Sequence, residues 1–133
     1  MKPLLISLLL LNSACTFSEA KDCNDSSTQL EMNTCASTVL TAKQKELNSV
    51  ISQHRVLLEK NNEASMLNLF DQSNLSWLKY AEDHCESVSS LYQGGSIYNF
   101  SLLSCKTTLT KQRIQELKTS YSDTIETLEK GSP

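Results

Sequence analysis

The sequence predicts an all-α fold, a small antiparallel three-helix bundle stapled by two disulfides, and three observations predict it. Helix breakers are scarce: the 133 residues hold three Gly and two Pro, and both Pro stand near the termini. Apolar residues recur at three- and four-residue steps through three long segments, the spacing that lines one face of an α-helix, whereas no stretch alternates long enough to make a strand. Four cysteines remain once the first twenty residues are set aside, an even set of the kind that closes disulfides in an exported chain.

The chain opens MKPLLISLLLLNSACTFSEA: one Lys, the apolar run Leu4 to Leu11, then small and polar residues. This is the layout of a secretory signal, and the run is too short to span a bilayer. Two processing readings fit it. Ser18 and Ala20 are small residues at the two positions that signal cleavage reads, which makes residues 1–20 a signal peptide and residues 21–133 a periplasmic or secreted domain. The alternative is a lipoprotein signal ending before Cys15, in which LNSAC follows the apolar run and lipidation of Cys15 anchors the protein to a membrane. Asn12 stands where such a signal prefers Leu.

The formal net charge is −3, and residues 1–20 contribute one Lys and one Glu, so their removal leaves it unchanged. A weakly acidic chain without a basic stripe is no nucleic-acid binder. It favours a cationic protein partner and, unless lipidated at Cys15, has no call on an anionic membrane surface. With no repeat and no linker, one domain accounts for the length.

The first helix begins in NDSSTQLEMNTC, where Thr28 and Glu31 form a capping box: the hydroxyl accepts an orphan amide and the carboxylate reaches back to another. Met32, Cys35, Val39, Leu47, Val50, Ile51, His54 and Leu57 or Leu58 make its stripe, and it should end near residues 60–62. A second helix, roughly 63–87, carries Met66, Leu67, Phe70, Leu78, Ala81 and Cys85, with Trp77 and Tyr80 on or beside the stripe. SVSSLYQGGSIYN then breaks the period and reads as a loop. The third helix, about 99–128, shows Phe100, Leu103, Thr107, Ile114, Leu117, Tyr121, Ile125 and Leu128.

Reach ranks the pairings of the four cysteines. Cys35 lies two turns inside the first helix, roughly 10 Å along its axis from Thr28, and the segment from Cys23 to Thr28 extends about 16 Å, so Cys23 can fold back onto Cys35. Cys85 ends the second helix and Cys105 lies early in the third, so the two meet if the loop between them reverses the chain, and Gly94 and Gly95 give it that freedom. Closing that loop contributes about 3 kcal/mol in the chain-entropy model. The alternative joins Cys35 to Cys85 and Cys23 to Cys105.

Reactive chemistry is hard to place. His84 stands beside Cys85 with Glu82, Asp83 and Glu86 nearby, yet neighbours on a helix point in different directions and no second ligand cluster exists, so no metal is expected. A bridged Cys has no thiolate for catalysis, no nucleophile elbow appears, and His54 sits on an apolar stripe as a packed or rim residue. No cofactor and no enzymatic activity are expected. Asn24, Asn74 and Asn99 each open an N-x-Ser sequon of the short kind that arises by chance. Trp77 reads as a core anchor between helices. The loop residues Tyr92, Gly94, Gly95, Ser96 and Tyr98 form the candidate interaction surface, its amphipathic rings flanking the glycines.

ELN (46–48), WLKYAEDHC (77–85), GGS (94–96), Cys105 and LTKQRIQEL (109–117), with CNDSSTQLEMNTC (23–35), resemble the LprI-type lysozyme-inhibitor family of small exported bacterial domains. The resemblance spans nearly all of residues 21–133. Three positions depart from the pattern: Asn74 stands where Gln is common, Ala81 where Arg is common, and Ile51 where an aromatic is common. The resemblance implies a disulfide-bonded helical domain and an exported cell-envelope binding protein that inhibits a cationic lysozyme (muramidase) by occluding it. The alternative is a non-catalytic structural or accessory envelope domain with another protein partner.

Overall fold

The computed structural model describes residues 23–130, so the leader and Cys15 lie outside the described residues. Three long helices follow one another up, down and up: α1 (Gln29–Lys60), α2 (Ala64–Ser89) and α3 (Tyr98–Ser120), with a short α4 (Ser122–Glu129) at the end and no strand among the described residues. A 3-10 turn over Cys23–Asp25 leads into α1. The all-α three-helix reading holds.

Local chemistry sets the helix ends. Thr28 Oγ1 accepts the Glu31 amide at 3.2 Å while Glu31 Oε2 accepts the Thr28 amide at 3.1 Å, the reciprocal box that starts α1. At its other end Asn62 takes a left-handed φ of 59°. The Asn62 amide donates to the Glu59 carbonyl and the Glu63 amide to the Leu58 carbonyl, a Schellman closure in which Asn replaces the usual Gly.

The third helix departs from expectation. Instead of running unbroken to about residue 128, it stops at Ser120, and Tyr121 leaves helical geometry before α4 resumes. The segment Thr119–Ser122 explains the stop: Ser122 Oγ donates to the Thr119 carbonyl at 2.9 Å, offering the backbone a partner other than the next amide of the helix. The break turns the Tyr121 ring inward, edge-on to both Phe70 and His54 with centroids 5.3 Å apart. The side chains of Ile125 and Leu128, expected on this stripe, lie outside the described residues.

The apolar core lies on the side of the α1–α2 turn. Leu47, Val50, Leu58, Phe70, Ile114 and Leu117 are buried together, with Ile51, Met66, Leu67, Trp77 and Tyr121 packed on its edge. His54 is buried here, stacked on Phe70 at 5.7 Å, and its Nδ1–H donates to the Val50 carbonyl at 2.7 Å. It is a packed side chain. Three other positions differ from the sequence reading: Leu78 is 56% exposed and Tyr80 53% exposed, so the stripe of α2 is narrower than expected, and Trp77 stands half-buried against the edge of the core rather than within it.

Arg113 explains part of that displacement. It projects from α3 on the buried stripe with Thr110, Ile114 and Leu117. Its guanidinium donates to Ser73 Oγ at 3.0 Å and to Asn74 Oδ1 at 2.9 Å, pairs with Glu116 at 3.0 Å, and lies 5.9 Å from the Trp77 ring centroid. The planar fork thus ties α3 to α2 beside the indole. Towards the other end the buried side chains shrink to Ala36, Leu40, Ala81, Cys85, Ser89 and Thr107.

Candidate functional site

The end of the bundle where α2 gives way to α3 is built around covalent bonds. Disulfides join Cys23 to Cys35 and Cys85 to Cys105, each with Cα atoms 5.6 Å apart. Cys85 and Ser89 have no exposed surface, and the Ser89 hydroxyl donates to Ser101 Oγ at 3.2 Å. A disulfide and a hydroxyl pair, one helical turn apart, therefore hold the last turn of α2 to the first turns of α3.

Above this clamp Ser90–Tyr92 tighten into a 3-10 turn, closed by the Gln93 amide on the Ser90 carbonyl at 3.1 Å and the Gly95 amide on the Tyr92 carbonyl at 2.9 Å. Both glycines have a physical reason. Gly94 adopts a φ of +80°, a conformation that side chains resist. A Cβ on Gly95 would stand 3.2 Å from the Tyr92 carbonyl oxygen, a tight contact that the turn would have to relieve by a shift of a few tenths of an ångström.

Of the five loop residues singled out from sequence, Tyr92, Gly94, Gly95 and Ser96 are exposed and Tyr98 is half-buried. The Tyr98 hydroxyl is committed: it donates to Glu86 Oε2 at 2.6 Å, a bond across the clamp. That bond, helped by desolvation, holds the phenol above its ordinary titration range. Two apolar residues that the sequence reading passed over stand out beside Tyr92. Leu91 is 82% exposed and Val88 42% exposed, and with Tyr92 they share the outer side of the last turn of α2 and the 3-10 turn. Their spacing of three and four residues was the available signal.

Charge is distributed as unevenly as exposure. Segments 23–39 and 80–106, which make the clamped end, carry Asp25, Glu31, Glu82, Asp83 and Glu86 against Lys106 alone. The rest of the described chain is close to balanced, and most of its charges are paired: Arg55 with Asp71 and Glu59, Lys118 and Lys43 with Glu46, Arg113 with Glu116, while Lys79 reaches across to Asp83 of the clamped end. Among the described residues no group of His, Cys, Asp and Glu side chains could hold a metal ion; His84 stacks on Tyr80 at 5.4 Å. No described helix is long and apolar enough to cross a membrane.

Comparison with curated proteins and with solved structures gives no significant match. A family model described as lysozyme inhibitor LprI matches residues 20–117. The match takes in both disulfides, all of α1 and α2, the clamped loop and α3 as far as its last buried residue, Leu117, and stops before α4. With most of its length and its whole covalent framework inside that match, the chain belongs to the LprI lysozyme-inhibitor family.

Proposed function

We propose that this protein is an exported binding protein of the cell envelope, periplasmic or secreted, that inhibits a cationic muramidase by covering its cleft with the clamped end of the bundle. One observation carries the reading: exposed Val88, Leu91 and Tyr92 lie on the same end that holds the excess of carboxylates. Apolar and aromatic side chains supply the desolvated centre of a protein interface, and an excess of like charge on the same end speeds encounter with a surface of opposite sign. Inhibition of this kind asks no bond-making of the inhibitor. It asks that the contact residues be ordered before binding, and a loop tied by a disulfide, a serine pair and the Tyr98–Glu86 bond loses little freedom on docking.

The test is the clearing of a cell-wall suspension by a basic muramidase with and without the purified domain. Protection is expected at concentrations on the order of 10 µM, weaker at high salt because the attraction is screened, and reduced about tenfold in Leu91→Ser or Tyr92→Ser, both exposed changes that leave the fold intact. Absence of protection at any salt, with recovery of a different envelope protein on the same surface, would replace inhibition by the accessory role.

A further inference from the structure

A second surface lies between α1 and α2 around Trp77. Leu47, Asn48, Trp77 and Leu78 line two adjoining clefts there, one of about 310 Å³ and one of about 370 Å³. Ala81 forms part of the lining of the first, at a position where a longer side chain would fill it. The second runs on to the Arg55–Asp71 ion pair.

The linings are amphipathic in a particular way. Trp77 and Leu78 offer a broad apolar surface, with Leu75 69% and Leu78 56% exposed. Around it stand the amides of Gln44 and Asn48, neither of which has a hydrogen-bond partner among the described residues, although Asn61 and Asn74 donate to backbone carbonyls four residues back. At the mouth of the first cleft Lys106 Nζ lies 3.7 Å from Glu82 Oε1, an ion pair too long for a hydrogen bond. An ammonium, a carboxylate and two primary amides with spare bonding capacity therefore frame an indole.

The geometry points to a saccharide site. A pyranose ring has a C–H face that packs on an aromatic surface and equatorial hydroxyls or an acetamido group that both donate and accept, and the groups framing Trp77 do the same in reverse. A purely apolar ligand would leave two amides and an ion pair desolvated without partners, at a cost. A compact anion or cation would meet Lys106 and Glu82 together and be attracted by one while repelled by the other. Two clefts sharing Trp77 fit two linked rings better than one. The site stands apart from the apolar contact residues of the inhibitory reading, Val88, Leu91 and Tyr92, although Glu82 and Lys106 at its mouth also belong to the acidic end.

The only Trp in the chain is Trp77, so indole fluorescence of the purified domain reports this site alone. Titration with N-acetylglucosamine, its β-1,4-linked disaccharide, cellobiose and maltose should give a saturable change, with a dissociation constant of about 1 mM for the preferred disaccharide and weaker binding of the single ring. Preference for the acetamido sugars would assign the ligand to amino-sugar glycans; equal response to cellobiose would assign it to neutral glucans. The double variant Gln44→Ala, Asn48→Ala changes two partnerless side chains on an exposed helix face and should keep its helical circular dichroism while binding about tenfold more weakly. No saturable change with any of the four sugars at about 20 mM, or undiminished binding by the double variant, would overturn the site. Muramidase protection measured on the same samples should be untouched by either outcome.

Discussion

The two ends of this bundle are held together by different physics. At the α1–α2 turn, Phe70, Leu58 and Leu117 are nearly free of solvent contact, and the Phe70, His54 and Tyr121 rings close on one another. At the α2–α3 turn the buried set is Ala36, Leu40, Ala81, Cys85, Ser89 and Thr107, in which Leu40 is the one large aliphatic side chain and the rest have little apolar area to remove from water. Two disulfides stand there instead. The end with the weaker core is also the acidic one and the one that exposes Leu91 and Tyr92. Covalent closure lets a surface carry like charges and apolar side chains that a small packed core alone would hold poorly.

The comparison breaks most severely if the packed end is opened. Phe70→Ala removes the most buried large side chain of the core, and a cost of about 3–5 kcal/mol is expected, read from denaturant unfolding. Amide exchange should then accelerate around Val50, Leu58 and Leu117 while residues 86–105 stay protected by their bridge. Uniform acceleration along the chain would mean that the two ends unfold as one unit and that the division drawn between them has no energetic content.

The reverse experiment replaces Cys85 and Cys105 together by Ala. The bridge spans a sequence separation of 20, and about 3 kcal/mol of stability should go with it in the chain-entropy model. Exchange should now rise first over the last turn of α2, the loop and the first turns of α3. Muramidase protection should fall in parallel, since the Leu91–Tyr92 surface loses its ordering, whereas the fluorescence of Trp77 should keep its native value. A variant that unfolds at the packed end first would reverse the assignment of the two stabilising mechanisms.

Much of this was legible in the sequence, and the exceptions have causes. Thr28 and Glu31 announced the start of α1 because a capping box is a local bargain between two side chains and two amides. The Cys85–Cys105 clamp could be reached by counting residues and adding the glycines. What the period of α2 failed to say is which of two adjacent faces is buried: Leu78 and Tyr80 fit the stripe by spacing but are exposed, Leu78 on a cleft between α1 and α2, and how closely two helices pack depends on partners far along the chain. Arg113 was passed over for the same reason. Its spacing places it on the inner face with Thr110 and Leu117, yet burial of its guanidinium rests on Ser73, Asn74 and Trp77 of another helix as well as on Glu116 of its own. The break at Tyr121 was hidden in a stretch whose hydroxyl residues permit a helix and permit its end equally well.

The smallest effect separates the clamped end from the α1–α3 contact by pH. Tyr98 titrates above its ordinary range because Glu86 accepts its proton-bearing hydroxyl, so the folded state favours the neutral phenol. The contribution is complete below the ordinary tyrosine value and disappears as pH rises through the raised one. Glu46, which joins Lys43 on α1 to Lys118 on α3, is shifted the other way by those two hydrogen bonds; its contribution is complete above the ordinary carboxyl value and disappears as pH falls through the lowered one. The stability difference between the native chain and Tyr98→Phe should therefore be flat through neutral pH and shrink only in alkali, while that of Glu46→Gln should shrink only in acid. Near-ultraviolet phenolate absorbance should show one late-titrating tyrosine, absent in Tyr98→Phe and brought back toward the ordinary range in Glu86→Gln. An unchanged late step in Glu86→Gln would show that burial rather than the Glu86 bond sets it, and the loop would then rest on the disulfide and the serine pair alone.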